Sequence, residues 1–138
     1  MVQLQAMLNQ AKGVLNNAHA PYSGFHVACC ILTTNCQFYV GCNVENASYG
    51  LTICAETNAI GQMVAAGEIA IAQILILVEH ADICTPCGAC RQRLIEFSNE
   101  KTLVHLATLP AGIQKTFTLE ELLPHHFSAK NFAGCQPT

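Results

Sequence analysis

Charge is what this chain has least of: six Lys and Arg and nine Asp and Glu in 138 residues, for a net charge of −3. A protein that grips nucleic-acid backbone needs a basic face, because phosphate neutralisation supplies most of the binding. The few positive charges here are scattered, which makes long nucleic acid a poor partner. Long apolar runs are missing too. Residues 69–78 and 27–32 fall short of the roughly 20 residues that span a bilayer, so no membrane association is expected. The N-terminus lacks a basic segment followed by an apolar core, which predicts no signal peptide and a cytoplasmic protein. Repeats, low-complexity tracts and linkers are also absent. A single domain over residues 1–138 is expected.

Apolar residues make up 51% of the chain. A chain of this length can bury roughly two-thirds of its unfolded surface in one core, which excludes disorder. Fifteen charged residues are few for covering a monomer, and exposed apolar surface marks interfaces. An oligomer is expected. The nine cysteines are an odd number in a chain with no secretory signal, which points to thiols and metal rather than a disulfide framework.

Leu4, Met7, Leu8, Ala11, Leu15 and Ala18 recur at helical spacing, and Pro21 and Gly24 break that helix. Residues 25–33 and 37–42 read as a β-hairpin turning at Thr34 and Asn35. Residues 54–66 read as a buried helix stopped by Gly67. The apolar run 71–78 suits a strand covered on both faces. Pro86 fits the first turn of a helix reaching Asn99, where its missing N–H costs nothing. Strands are expected over 102–108 and 114–118. Thr118 and Glu121 have capping-box spacing for a last short helix. The order α-β-β-α-β-α-β-β-α predicts an α/β fold, a mixed sheet layered with helices.

Cys54-Ala55-Glu56 and Pro86-Cys87-Gly88-Ala89-Cys90 carry the chemistry. Cys87 and Cys90 are three apart and share one face of a helix. With Cys54 at the start of another helix, three sulfurs can converge at about 2.3 Å from one zinc ion. Three protein ligands and one open position is the catalytic arrangement; four ligands is the structural one. Helix N-termini favour thiolates. Glu56, two residues from a ligand, is placed to move protons instead of binding metal. Two other readings exist for the Cys-x-x-Cys pair. A redox pair would leave Cys54 and Glu56 unexplained, and a structural zinc ribbon would need a fourth ligand, for which Cys84 is available. Cys29, Cys30, Cys36, Cys42 and Cys135 lack ligand spacing and are expected to be inert. The six histidines are expected to be ordinary surface or core residues.

With these residues in view, the chain resembles the small, homotetrameric cytidine deaminases along nearly its whole length. Five ordered motifs carry the resemblance. They are Ala20-Pro21-Tyr22-Ser23-Gly24-Phe25, then Gly41-Cys42-Asn43-Val44-Glu45-Asn46-Ala47-Ser48-Tyr49-Gly50, then Cys54-Ala55-Glu56. Pro86-Cys87-Gly88-Ala89-Cys90-Arg91-Gln92 and Glu121-Leu122-Leu123-Pro124-His125-His126-Phe127 follow. The pattern Cys-x-Glu followed by Pro-Cys-x-x-Cys is the zinc-deaminase signature. The resemblance implies a three-layer fold with a five-stranded mixed sheet and one Zn²⁺ per subunit on Cys54, Cys87 and Cys90. It implies Glu56 as the proton shuttle and Asn43 and Glu45 on the ribose 3′-hydroxyl. Phe25 and Ala55 would line the nucleoside site. Ala47 and Tyr49 from one neighbouring subunit and Phe127 from another would complete it. One departure is visible: the family commonly has arginine directly after Cys-Ala-Glu, and this chain has Thr57.

The reaction implied is hydrolytic deamination of cytidine and deoxycytidine, with water attacking C4 and ammonia leaving. An antibiotic-nucleoside deaminase of the blasticidin type is the alternative, since such relatives can also lack that arginine. The missing basic face argues against polynucleotide editing. Glu56 argues against a non-catalytic zinc module.

Overall fold

The computed structural model describes residues 1–80, 82–132 and 134; Cys135 lies outside them. Nine regular elements follow in the expected order: α1 Val2–Leu15, β1 Val27–Thr33, β2 Phe38–Cys42, α2 Ala55–Ala65 and β3 Ile71–Val78. Next come α3 Gly88–Ile95, β4 Leu103–Thr108, β5 Gly112–Thr118 and α4 Leu119–Leu122. Two single 3₁₀ turns, Tyr49–Leu51 and Ala129–Phe132, were not anticipated from the sequence.

The strands form one sheet in the order β2-β1-β3-β4-β5. Among the described strands only β3 and β4 pair in parallel. A parallel pair needs a crossover, and the segment containing α3 supplies it. β3 lies at the centre, and its apolar run is divided between two cores. Ile74 and Ile76 face Ala59 and Met63 of α2 and Leu94 of α3. Leu75 and Leu77 face Met7, Leu8, Ala11 and Leu15 of α1. The period-2 alternation of a strand thus feeds a helix layer on each side, giving three layers.

Three local expectations need correction. Pro86 is not in the first turn of α3: Cys87 is the N-cap, with extended backbone, and the first helical residue is Gly88. The opening i→i−4 bond runs from Arg91 N to Cys87 O, so the Pro86 carbonyl stays outside the ladder. The helix also ends at Ile95 rather than Asn99, as Phe97 N and Ser98 N turn back in three-residue steps to Leu94 O and Ile95 O. In the hairpin the turn extends through Cys36, whose φ of 61° puts it in the left-handed region that closes tight turns. The capping box at α4 is present in full: Glu121 N donates to Thr118 Oγ1 at 3.2 Å, and Thr118 N donates to Glu121 Oε2 at 2.6 Å.

Candidate active site

Two helix starts deliver the thiols. Cys54 is the N-cap of α2, Cys87 the N-cap of α3, and Cys90 lies in the first turn of α3. Their sulfurs all lie within 4.8 Å of one another, with Cys54 Sγ and Cys87 Sγ 4.0 Å apart. A tetrahedral zinc with Zn–S bonds of about 2.3 Å needs sulfurs about 3.8 Å apart. The donor set therefore fits that ion in number, softness and spacing. Cys84 does not belong to this trio; its thiol points to the carbonyl of Thr85 at 3.7 Å.

Cys54, Cys87, Ala55 and Glu56 line one cavity of about 190 Å³, together with Asn43, Val27, Thr52, Cys84 and Thr85. Glu56 is only 4% exposed. Burial raises the pKa of its carboxyl, and its own backbone N–H and the Cys90 thiol only partly offset that shift. Burial also raises Cys54 and Cys90. At Cys87, burial is outweighed by the Cys90 backbone N–H and by the neighbouring Cys90 and Cys54 thiols, so its pKa falls. A wall holding a buried acid beside three converging sulfurs combines a metal seat with a proton carrier.

The polar pair after β2 is already engaged. Asn43 Oδ1 accepts Val27 N at 2.9 Å, and its Nδ2 donates to Phe25 O at 2.8 Å. Glu45 Oε1 accepts the backbone N–H groups of Tyr22 and Ser23 at 3.0 and 3.1 Å, and Oε2 accepts the Ser23 hydroxyl. That hydroxyl, followed by the backbone donors, holds the Glu45 carboxyl below its ordinary pKa. Both side chains therefore fasten the Tyr22–Phe25 turn against the cavity, with lone pairs and one amide hydrogen left for a ligand. The Phe25 ring stacks on His80, centroids 5.2 Å apart and planes inclined by 15°.

The other expected contacts border other surfaces of the chain. Tyr49 is 75% exposed and borders a separate pocket of about 380 Å³ with Tyr22, Ser23, Glu45 and Thr52. Ala47 is exposed on the preceding loop. Phe127, 57% exposed, borders a groove of about 610 Å³ beside α3 and α4, along with Glu96, His125 and Lys130. None of the three lines the thiol cavity.

Sequence reasoning missed Thr52, which borders both the thiol cavity and the Tyr49 pocket. It also missed Ser23 as the partner of Glu45, and His80 beneath Phe25. Only Ser23 carried a signal, its place in the Pro21–Gly24 turn. Arg91 donates through Nε to Pro86 O and through a terminal nitrogen to Leu122 O, both at 2.7 Å. It thereby ties the approach to Cys87 to the end of α4. Thr57 Oγ1 and His26 Nδ1 are buried without a hydrogen-bond partner among the described residues. The remaining histidine expectation holds at His105, which bridges Thr116 Oγ1 and Gln73 Oε1 at 2.8 and 2.9 Å.

Known proteins share this arrangement. The family model for the cytidine and deoxycytidylate deaminase zinc-binding region matches residues 1–106. A cytidine deaminase of Mycoplasma genitalium is 36% identical over 127 residues, covering 91% of this chain and 96% of that protein. One from Halalkalibacterium halodurans is also 36% identical, covering 92% and 96%. The crystal structure of cytidine deaminase from Burkholderia pseudomallei superposes with a TM-score of 0.83 at 38% identity, over 89% of this chain and 98% of that one. The shared fold, the thiol cluster and these relatives together establish that the chain belongs to the cytidine deaminase family of hydrolytic enzymes.

Proposed function

We propose that this enzyme deaminates free cytidine and 2′-deoxycytidine to uridine and 2′-deoxyuridine, using one Zn²⁺ per subunit, in cytoplasmic pyrimidine salvage. The observation that carries the reading is the buried Glu56 in the wall of the cavity where the Cys54, Cys87 and Cys90 sulfurs converge. Zinc bound there supplies an acidified water as nucleophile. Glu56 takes one proton of the attacking water and delivers it to ring N3, then takes the second from the hydroxyl now on C4 and gives it to the departing amino group. Cytidine and water thus become uridine and ammonia, with one carboxylate acting as base and then acid. Asn43 and Glu45 meet the ribose 3′-hydroxyl through the capacity their loop bonds leave free. Phe25 and Ala55 border the nucleoside.

The chain is one domain over residues 1–138 and assembles as a homotetramer with shared sites. Ala47 and Tyr49 from one neighbour and Phe127 from another complete each cavity. The exposure of Tyr49 and Phe127, and their absence from the lining of the thiol cavity, support this. No helix among the described residues is long and apolar enough to cross a membrane. The deciding experiment follows loss of cytidine absorbance in the ultraviolet. Deoxycytidine, a blasticidin-type antibiotic and single-stranded DNA run in parallel, and zinc is counted on the same sample. Turnover of the antibiotic alone overturns the substrate assignment; turnover that persists after zinc is stripped overturns the metal.

A further inference from the structure

Gly41 lies in β2 and faces the first turns of α2. A Cβ placed on it would sit 2.4 Å from Ala55 O, 2.5 Å from Ala59 N and 3.0 Å from the Asn58 carbonyl carbon. All three are backbone atoms of α2, so no side-chain tip can swing aside to make room. Gly41 is not among the glycines with left-handed φ; the demand for glycine comes from space, not from conformation. β2 cannot easily retreat either, because Gly41 is paired in register with Cys29 of β1. The adjacent Cys42 carbonyl accepts Asn58 Nδ2 at 2.8 Å, gripping the same stretch of helix. Gly41 and this bond together make a seat for the start of α2.

That start carries Cys54 and Glu56, whereas Cys87 and Cys90 arrive on α3. Anything that lifts α2 from β2 changes the 4.0 Å gap between Cys54 and Cys87 and the place of Glu56 together. We propose that Gly41 is a positioning residue of the deaminase site, its missing side chain setting the distance between the two halves of the metal and proton-transfer machinery. The inference rests on the site reading above. Supporting groups around a metal are worth about 10- to 100-fold in metal affinity or activity, and a misplacement of about 1 Å can cost 10²-fold in rate.

The test is Gly41→Ala in the assembled enzyme, read by the rate of zinc release to a colorimetric chelator and by kcat and KM for cytidine, well below the melting temperature. Zinc release about 10- to 100-fold faster and kcat lower by a similar factor are expected, with KM changed by less than about threefold. Gly61→Ala, on the same helix with nothing within 4 Å of the added carbon, should change neither. A Gly41→Ala enzyme that melts earlier but keeps wild-type zinc release and kcat overturns the proposal, since that is all a purely structural glycine would do. Should Gly41→Ala not accumulate as folded protein, Asn58→Ala decides, removing the bond to Cys42 without adding volume. Faster zinc release supports the seat, and wild-type behaviour overturns it. A wild-type enzyme that binds no zinc overturns the site reading and this inference with it. Zinc-dependent wild-type turnover beside an unaffected Gly41→Ala overturns the seat alone.

Discussion

The two faces of the sheet are built for different ends. On the α1 face, Met7, Leu8, Ala11 and Leu15 meet Ala28, Cys30, Leu32, Leu75 and Leu77, all apolar and buried. On the other face α2 and α3 also bury apolar residues, Ala59, Met63 and Leu94 among them, but their N-terminal ends put Glu56 and three thiols into the layer. Cys29 and Cys30, neighbours in β1, fall on opposite faces, and neither joins the thiol cluster. Burying a carboxyl costs stability, and burial raises the pKa of Glu56. One face holds the fold together, while the other gives up stability to keep a reactive group dry. Variants on the two faces should therefore separate turnover from stability.

The largest separation is expected from Glu56→Gln. Turnover should fall by at least about 10²- to 10⁴-fold, while zinc content by metal analysis stays at the wild-type level and the melting temperature does not drop. Near-normal turnover with full zinc would remove Glu56 from the mechanism. Leu75→Ala on the opposite face should do the reverse. It should lower unfolding stability by about 2–5 kcal/mol in denaturant titration and leave kcat unchanged where the protein is still folded. A matching loss of kcat would show that the faces are not independent.

Phe127→Ala should raise KM for cytidine, although Phe127 does not line its own subunit's thiol cavity. Mixing those subunits with Glu56→Gln subunits should rebuild some intact sites. No recovery in tetramers shown by mass spectrometry to be mixed would end the shared-site reading.

A smaller effect is expected at His105, between Gln73 and Thr116 in the sheet. Burial lowers its pKa below the ordinary 6.5. The unfolded chain therefore binds a proton that the folded chain resists, so His105 adds stability above pH 6.5 that is lost as pH falls through its depressed folded value. Melting temperature should decline on acidification below about pH 6.5, and His105→Gln should flatten that decline. An equal decline in both proteins would assign it elsewhere. The smallest expected effect is none: Cys84→Ser should keep zinc and turnover, because the fourth coordination position is assigned to water. Loss of zinc would revive a closed four-thiolate site.

What could be read in advance follows from how far a signal extends along the chain. The β3 run and the Thr118–Glu121 box are local patterns that appear where they were expected. The α1 stripe appears as far as Leu15, with Ala18 beyond the helix end, and the Cys87/Cys90 sulfurs converge although Cys87 is the N-cap of α3 and not on its helical face. The engagement of Glu45 with the backbone N–H groups of Tyr22 and Ser23, 23 and 22 residues away, was not legible. Nor was that of Arg91 with Leu122, 31 residues away, because backbone carbonyls and N–H groups leave no trace in residue identity. The same blindness misplaced Pro86. Its local preference for a first helical turn was real, but the first helical carbonyl belongs to Cys87.

Asn43 carries one more consequence. Its side-chain amide acts as a stub of extra strand, closing Val27 N and Phe25 O where β2 has ended, and the residue is 9% exposed. A replacement lacking either half of the amide strands one of those backbone groups, at about 1–3 kcal/mol if it stays buried. An aspartate would set an anion against the Phe25 carbonyl. Any substitution at this position that alters the amide therefore loosens the wall of the thiol cavity as well. Thr52 and Cys84 border the same cavity and their side chains make one bond each, to Asn46 N and Thr85 O, so substitutions there disturb the frame less.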